Sequence, residues 1–96
     1  MALQQIERTA TFLRQAKQLR RKHYDFDKLE KVIRLLMAQD HEVLRRRYRD
    51  HALKGNLRNF RELHIEADWL LIYQIKGDVL TLVLVETGSH QQLLGK

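Results

Sequence analysis

Three histidines of this chain stand where strand-like stretches begin or end. His51 follows the basic run Arg45-Arg46-Arg47-Tyr48-Arg49-Asp50, His64 lies between Leu63 and Ile65, and His90 follows Thr87-Gly88-Ser89. Titratable groups at the edges of apolar strands cost stability unless they are satisfied, so their recurrence at element ends points to a built site. An antiparallel meander brings its strand ends and flanking loops to one rim. Three imidazoles there, with Asp68 and the arginines, suit cleavage of an RNA phosphodiester. That reaction needs a base for the 2′-hydroxyl proton, an acid for the departing 5′-oxygen, and cations for the charge on phosphorus. Imidazole, with an unperturbed pKa of about 6.5, exchanges protons near neutral pH.

Other readings compete at each position. A lone histidine in a basic chain is more often a surface or hydrogen-bonding residue. His23 and His41 lie near expected helix ends, where imidazole interacts well with terminal carbonyls, and are read as structural. A zinc site from His51, His64 and His90 is the weaker alternative, because none has the local spacing of a helical metal motif. Trp69 and Tyr73 are as well suited to a core as to stacking on bases. Tyr48, among four arginines, is the better stacking candidate.

The elements that must position these residues follow from periodicity. With Thr9 or Thr11 as N-cap, Phe12, Leu13, Ala16 and Leu19 recur at helical spacing. A second helix places Leu29, Val32, Ile33, Leu36 and Met37 on one face, with Asp27 and Glu30 as its capping pair. Residues 40–58 are polar and weakly periodic, and read as either a helical extension or a long loop. The period then changes to two: Leu63 and Ile65 point one way, His64 and Glu66 the other. Asp68–Lys76 is almost continuously apolar and reads as a central strand, Gly77-Asp78 as a tight hairpin, and Val79–Val85 as a third strand with Leu80, Leu82 and Leu84 on one face. The expected fold is α+β, with two N-terminal amphipathic helices on one face of a small, mainly antiparallel sheet. The pattern of Leu3–Glu7 is too poor to establish an added edge strand.

Ninety-six residues bound this to one domain, 1–96. There is no cysteine, hence no disulfide and no thiolate metal site. The N-terminus lacks the apolar run of a signal peptide and no stretch approaches a membrane span, so a cytoplasmic protein is expected. Residues 1–61 hold 16 Lys and Arg against 7 Asp and Glu, whereas 62–96 hold 2 against 5. The basic half, peaking at Arg45–Arg49 and continuing through Lys54, Arg58 and Arg61, points to a polyanion or an acidic protein partner. A solvated helix face with a basic loop is the competing reading.

At these residues the chain resembles the RelE/YafQ group of bacterial type II toxins, ribosome-associated mRNA endonucleases neutralised by an antitoxin. The matching text is Asp50-His51-x-Leu53-x-Gly55, then Arg61-x-x-His64-x-Glu66-x-Asp68-Trp69-x-Leu71-Ile72-Tyr73, then Thr87-Gly88-Ser89-His90 with Leu93-Leu94. The likeness runs over 1–96 in element order and is closest to YafQ from about residue 48. It implies a RelE-like fold in which His51, His64, Asp68 and His90 carry acid–base chemistry and substrate alignment. Arg45, Arg46, Arg47, Arg49, Lys54, Arg61, Trp69, Glu86 and Leu94 then belong to the substrate-binding surface. The resemblance further implies cleavage without metal or other cofactor by 2′-hydroxyl attack on mRNA in the ribosomal A site. The implied partners are an antitoxin with an acidic segment for the basic face and, through the toxin–antitoxin complex, operator DNA. Two positions depart from the pattern: Glu86 stands where the family usually has arginine, and Leu94 where phenylalanine is common. A related gyrase-poisoning branch shares the scaffold, so a non-nucleolytic inhibitor is the alternative.

Overall fold

The computed structural model describes residues 3–77 and 81–94, the side chains of His90 and Leu94 excepted. In chain order the elements are β1 (Gln5–Arg8), α1 (Ala10–Arg21), α2 (Phe26–Met37), α3 (His41–Tyr48), β2 (His51–Ala52), a 3₁₀ turn (Gly55–Leu57), β3 (Arg61–Glu66), β4 (Trp69–Lys76), β5 (Thr81–Gly88) and α4 (His90–Leu94). The strands form one sheet in the order β1-β5-β4-β3-β2. β1 runs parallel to β5, and the other neighbours are antiparallel. The N-terminal segment therefore does supply an edge strand, held by pairing with β5 rather than by any strong pattern of its own.

Helices α1, α2 and α3 cover one face of this sheet. Phe12 and Leu19 from α1, Leu29, Val32 and Leu36 from α2, and Leu44 from α3 join Leu63, Ile65, Trp69, Leu71, Tyr73, Leu82 and Leu84 in one apolar cluster. The period-two reading of residues 63–66 holds: Leu63 and Ile65 are in that cluster, while His64 is half-buried and Glu66 exposed. The helical reading misplaced Leu13, which is 53% exposed. The N-cap of α2 is Asp25, whose carboxylate accepts from the Asp27 amide, so Asp27 is a first-turn residue and not the cap. Residues 40–58 are neither a continuation of α2 nor a long loop. Asp40 caps a separate helix, α3, whose apolar Leu44 is buried. β2 and the 3₁₀ turn follow. The region reads as weakly periodic because Leu44 is the one buried residue of α3. His41 opens α3, a few residues past the carbonyl end of α2. Asp78, Val79 and Leu80 lie outside the described residues, and β5 continues past Val85 to Gly88.

Two devices join the helical layer to the last strand. The Thr9 hydroxyl accepts from the Phe12 amide at 2.9 Å, capping α1, and donates to the Val85 carbonyl at 2.6 Å. Gln15 of α1 accepts from the Thr87 amide at 2.8 Å, meeting β5 beyond the end of β1. Replacing Thr9 by valine keeps the shape and removes both bonds. The expected loss is about 1–2 kcal/mol of folding stability, read as a lower denaturant midpoint.

Candidate active site

The antiparallel run of β2 to β5 places the start of β2, the end of β3, the start of β4 and the end of β5 at one end of the sheet. His51 opens β2 opposite Glu62, and Glu62 lies opposite Ile72, which lies opposite Glu86. In the next row His64 pairs with Leu70 and Leu70 with Gly88, two residues before His90. Cross-strand partners share a face, so His51, Glu62 and His64 project together from the side opposite the apolar cluster.

Glu62 is the centre of this arrangement, and it was not among the expected site residues. Its side chain is 4% exposed, with Oε1 3.4 Å from His51 Nε2 and 3.9 Å from His64 Nε2. Its other oxygen, Oε2, is buried with no hydrogen-bond partner among the described residues. An unsatisfied buried acceptor costs about 1–3 kcal/mol, so this carboxylate is not explained by stability alone. The other ring nitrogen of His51, Nδ1, lies 2.7 Å from the Arg49 carbonyl. The signal was present in the chain: Glu62 and His64 are two residues apart in a strand, which puts them on one face.

His64 borders an open cleft of about 260 Å³ whose other walls include Arg47 and Arg49. These two arginines come from the end of α3, where Arg49 takes a left-handed backbone (φ 54°) that turns the chain into β2. Asp68 occupies the exposed turn between β3 and β4 and borders a second cleft with Tyr24, Glu66, Ala67 and Trp69. His64 and Asp68 thus open onto neighbouring clefts that share Glu66 and Ala67. Ser89 and Gln92 form a reciprocal cap: the Ser89 amide donates to Gln92 Oε1 at 2.9 Å and the Gln92 amide to Ser89 Oγ at 3.2 Å. This Ser-x-x-Gln cap, also legible in the chain, sets the backbone of His90 as the first residue of α4. A Cβ on Gly88 would lie 2.8 Å from Gln92 Oε1, so glycine leaves room for the cap. The imidazole of His90 and the side chain of Leu94 lie outside the described residues.

Several expected substrate contacts have other duties. Arg61 Nε and Nη2 each lie 3.4 Å from a carboxylate oxygen of Asp50, and the Tyr73 hydroxyl donates to Asp50 Oδ1 at 2.6 Å. Asp50 is buried, so Arg61 is first an anchor for the corner between α3 and β2, although its side chain is 43% exposed. Trp69 offers no face to a base. It is 1% exposed, edge-on to Tyr24, and its Nε1–H donates to Thr87 Oγ1 at 2.9 Å. Tyr48 packs against the apolar cluster and is only partly exposed. Glu86 Oε1 accepts from Gln15 Nε2 at 3.2 Å. Arg46 pairs with Glu42 at 3.2 Å, while Arg45 and Lys54 are exposed. Among the described residues no group of three or more His, Cys, Asp or Glu is arranged to hold a metal ion.

Burial works against ionising Tyr73, and its bond to Asp50 adds to this, so its pKa stands well above the ordinary 10.0. Burial also works against the Arg61 charge, but Asp50 and Tyr73 outweigh it and raise the guanidinium pKa. For a tyrosine held protonated in the fold, the stabilising difference is complete below pH ~10 and shrinks above it, because the unfolded hydroxyl ionises first. Tyr73→Phe is therefore expected to lower stability at neutral pH by about 1–3 kcal/mol. Its penalty should shrink above pH ~10 in denaturant titrations at stepped pH. A penalty that grew with pH would refute this account.

A small α+β chain with a helix-covered, mainly antiparallel sheet and a histidine-bearing rim has clear counterparts among bacterial toxins. Residues 4–95 match the family described as the bacterial toxin of type II toxin–antitoxin systems, YafQ. The mRNA interferase toxin YafQ of Escherichia coli strain K12 is 32% identical over 95 residues, covering 99% of this chain and all of that protein. A chain of the crystallised E. coli DinJ–YafQ toxin–antitoxin complex superposes with a TM-score of 0.82 at 33% identity, covering 99% of this chain and 100% of that one. A metal-bound toxin from Helicobacter pylori superposes at 0.83 with 40% identity, covering 98% and 100%. The chain belongs to the YafQ family of type II toxin–antitoxin toxins.

Proposed function

We propose that this toxin is an endoribonuclease that cleaves mRNA on the ribosome and so inhibits translation. The observation that carries the reading is the pair His51 and His64 facing one buried carboxylate beside a cleft bordered by Arg47 and Arg49. Attack of a 2′-hydroxyl on its own phosphodiester needs only proton transfers and charge stabilisation at phosphorus. His51, His64, Asp68 and His90 are the groups assigned to acid–base chemistry and substrate alignment. Arg47 and Arg49 are the phosphate-facing cations, with Arg45, Arg46 and Lys54 extending the positive surface. The products are a 2′,3′-cyclic phosphate and a 5′-hydroxyl. The relatives' names support this reading, since they are mRNA interferase toxins.

His64→Ala and His90→Ala are each expected to lower cleavage by roughly 100- to 10,000-fold, the usual contribution of one proton transfer, and to relieve growth arrest on expression. Primer extension on mRNA after induction gives the direct readout. If no new 5′ ends appeared inside reading frames, the nuclease reading would be wrong and the non-nucleolytic alternative would stand.

The same positive surface is the proposed seat of an acidic antitoxin segment, whose binding excludes RNA through the same charges. Binding of operator DNA by the toxin–antitoxin complex and action in the cytoplasm belong to this reading. Among the described residues no helix is long and apolar enough to cross a membrane. Charge reversal at Arg45, Arg47 and Arg49 together is expected to weaken antitoxin binding at least tenfold and to flatten its salt dependence, measured by titration calorimetry at two salt concentrations. Unchanged affinity would overturn the placement.

A further inference from the structure

Thr87 joins three parts of the molecule. Its amide donates to Gln15 Oε1 of α1 at 2.8 Å. Its hydroxyl accepts from Trp69 Nε1 at 2.9 Å and donates to the Leu70 carbonyl at 2.9 Å. Trp69 and Leu70 open β4 directly after Asp68, and Thr87 precedes His90 by three residues. The contacts of this one threonine therefore link the backbone that carries Asp68 to the backbone that carries His90.

What fixes Thr87 from outside the sheet is Gln15. β1 pairs with β5 only as far as Leu84. Backbone groups beyond that point need other partners, and α1 with its cap supplies them. Thr9 donates to the Val85 carbonyl at 2.6 Å, and Gln15 accepts from Thr87. The other end of the same carboxamide, Nε2, donates to Glu86 Oε1 at 3.2 Å. Accepting from an amide at one end while donating to a carboxylate at the other suits a carboxamide; an ionised acid, an amine or an alkyl chain of that length cannot do both. Gln15 borders a cavity of about 90 Å³ with Gln18, Leu19, Thr87 and Gln92. It thus stands beside the Ser89–Gln92 cap that opens α4.

We propose that Gln15 is a positioning residue for the cleavage reaction: by clamping Glu86 and Thr87 it sets the spacing between Asp68 and His90. This rests on the nuclease reading above, which gives those two residues their roles. Asp68 occupies a turn and His90 the first position of a short helix, so both lie just outside the strands. The ladder of the sheet does not dictate their positions directly. Misplacing a reacting group by about 1 Å can cost about 100-fold in rate. A shift of β5 against α1 reaches both groups through Thr87, its hydroxyl acting on the start of β4 and its backbone on the start of α4.

The test compares wild type, Gln15→Met, Gln15→Glu, and the exchange that combines Gln15→Glu with Glu86→Gln. Methionine keeps the length and removes both hydrogen bonds. Gln15→Glu keeps the acceptor for the Thr87 amide but sets a second carboxylate against Glu86. The exchange restores both contacts, with the donor now on the β5 side. All measurements are made well below the unfolding midpoint of each variant. Trp69 is the one tryptophan of the chain, so its indole ¹H–¹⁵N signal is unambiguous. That signal is expected to move in both single variants and to return in the exchange. With ribosomes saturating, kcat is expected to fall at least about tenfold in both single variants, with KM for ribosomes unchanged, and to recover in the exchange. A merely structural role would lower the unfolding midpoint and leave kcat of the folded protein intact. Should Gln15→Met not fold, Gln15→Glu and the exchange decide alone. A folded Gln15→Glu variant with wild-type kcat, or an exchange as slow as that single variant, overturns the assignment. If the indole signal moves and returns as expected while wild type cleaves no message, the clamp on β5 stands and the nuclease reading falls.

Discussion

Strand β3 divides the molecule into a side that folds it and a side that does chemistry, and the pleat of a β-strand is what enforces the division. Leu63 and Ile65 enter the apolar cluster beneath the helices, while Glu62 and His64 emerge on the other face. Arg61, on the helix-covered side, reaches the Asp50–Tyr73 pair that anchors the corner between α3 and β2. A slip of one residue in this strand would bury His64 and expose Leu63, and would separate Arg61 from Asp50. The register is held by pairing with β4 on one side and by only two residues of β2 on the other. The Asp50 anchor is therefore what keeps so short a strand, and His51 with it, in place.

The balance of charge across the site follows from where the cations are engaged. Arg61 is tied to Asp50 and Arg46 to Glu42, whereas Arg47 and Arg49 border the cleft of His64. The carboxylate of Glu86 is held by Gln15 of α1. Glu86 thus takes part in the attachment of α1 to β5. Gln15 meets both Glu86 and the Thr87 amide, so one amide side chain satisfies the strand where β1 no longer covers it. The Thr87 hydroxyl joins Trp69 to the Leu70 carbonyl from within the core. The Thr-Gly-Ser-His sequence consequently serves folding first: threonine in the core, glycine and serine building the cap, and histidine delivered at the start of α4.

Much of this was legible in the chain, and the residues that were not share a cause. The alternation at 63–66 and the helical spacing at 29–37 are local patterns, so they announced their elements directly. The edge strand β1 was indistinct because its reason to be extended lies in β5, about seventy-six positions away. Helix α3 was obscured by its arginines, which are exposed while Leu44 alone is buried. Trp69 belongs to the substrate surface only by the family resemblance, whereas its ring contacts Tyr24 and Phe26 from the helical layer.

The sequence by itself determined the α+β class, the paired faces of β3 and the set of imidazoles, because these depend on spacing within a few residues. Only the tertiary structure decided which acids attend which bases. Glu62 between His51 and His64, Asp50 beneath Tyr73 and Arg61, and Gln15 against Glu86 are contacts made across strands or between layers. A carboxylate's role depends on the charges and solvent that surround it, and those surroundings exist only once register and packing have brought distant parts of the chain together.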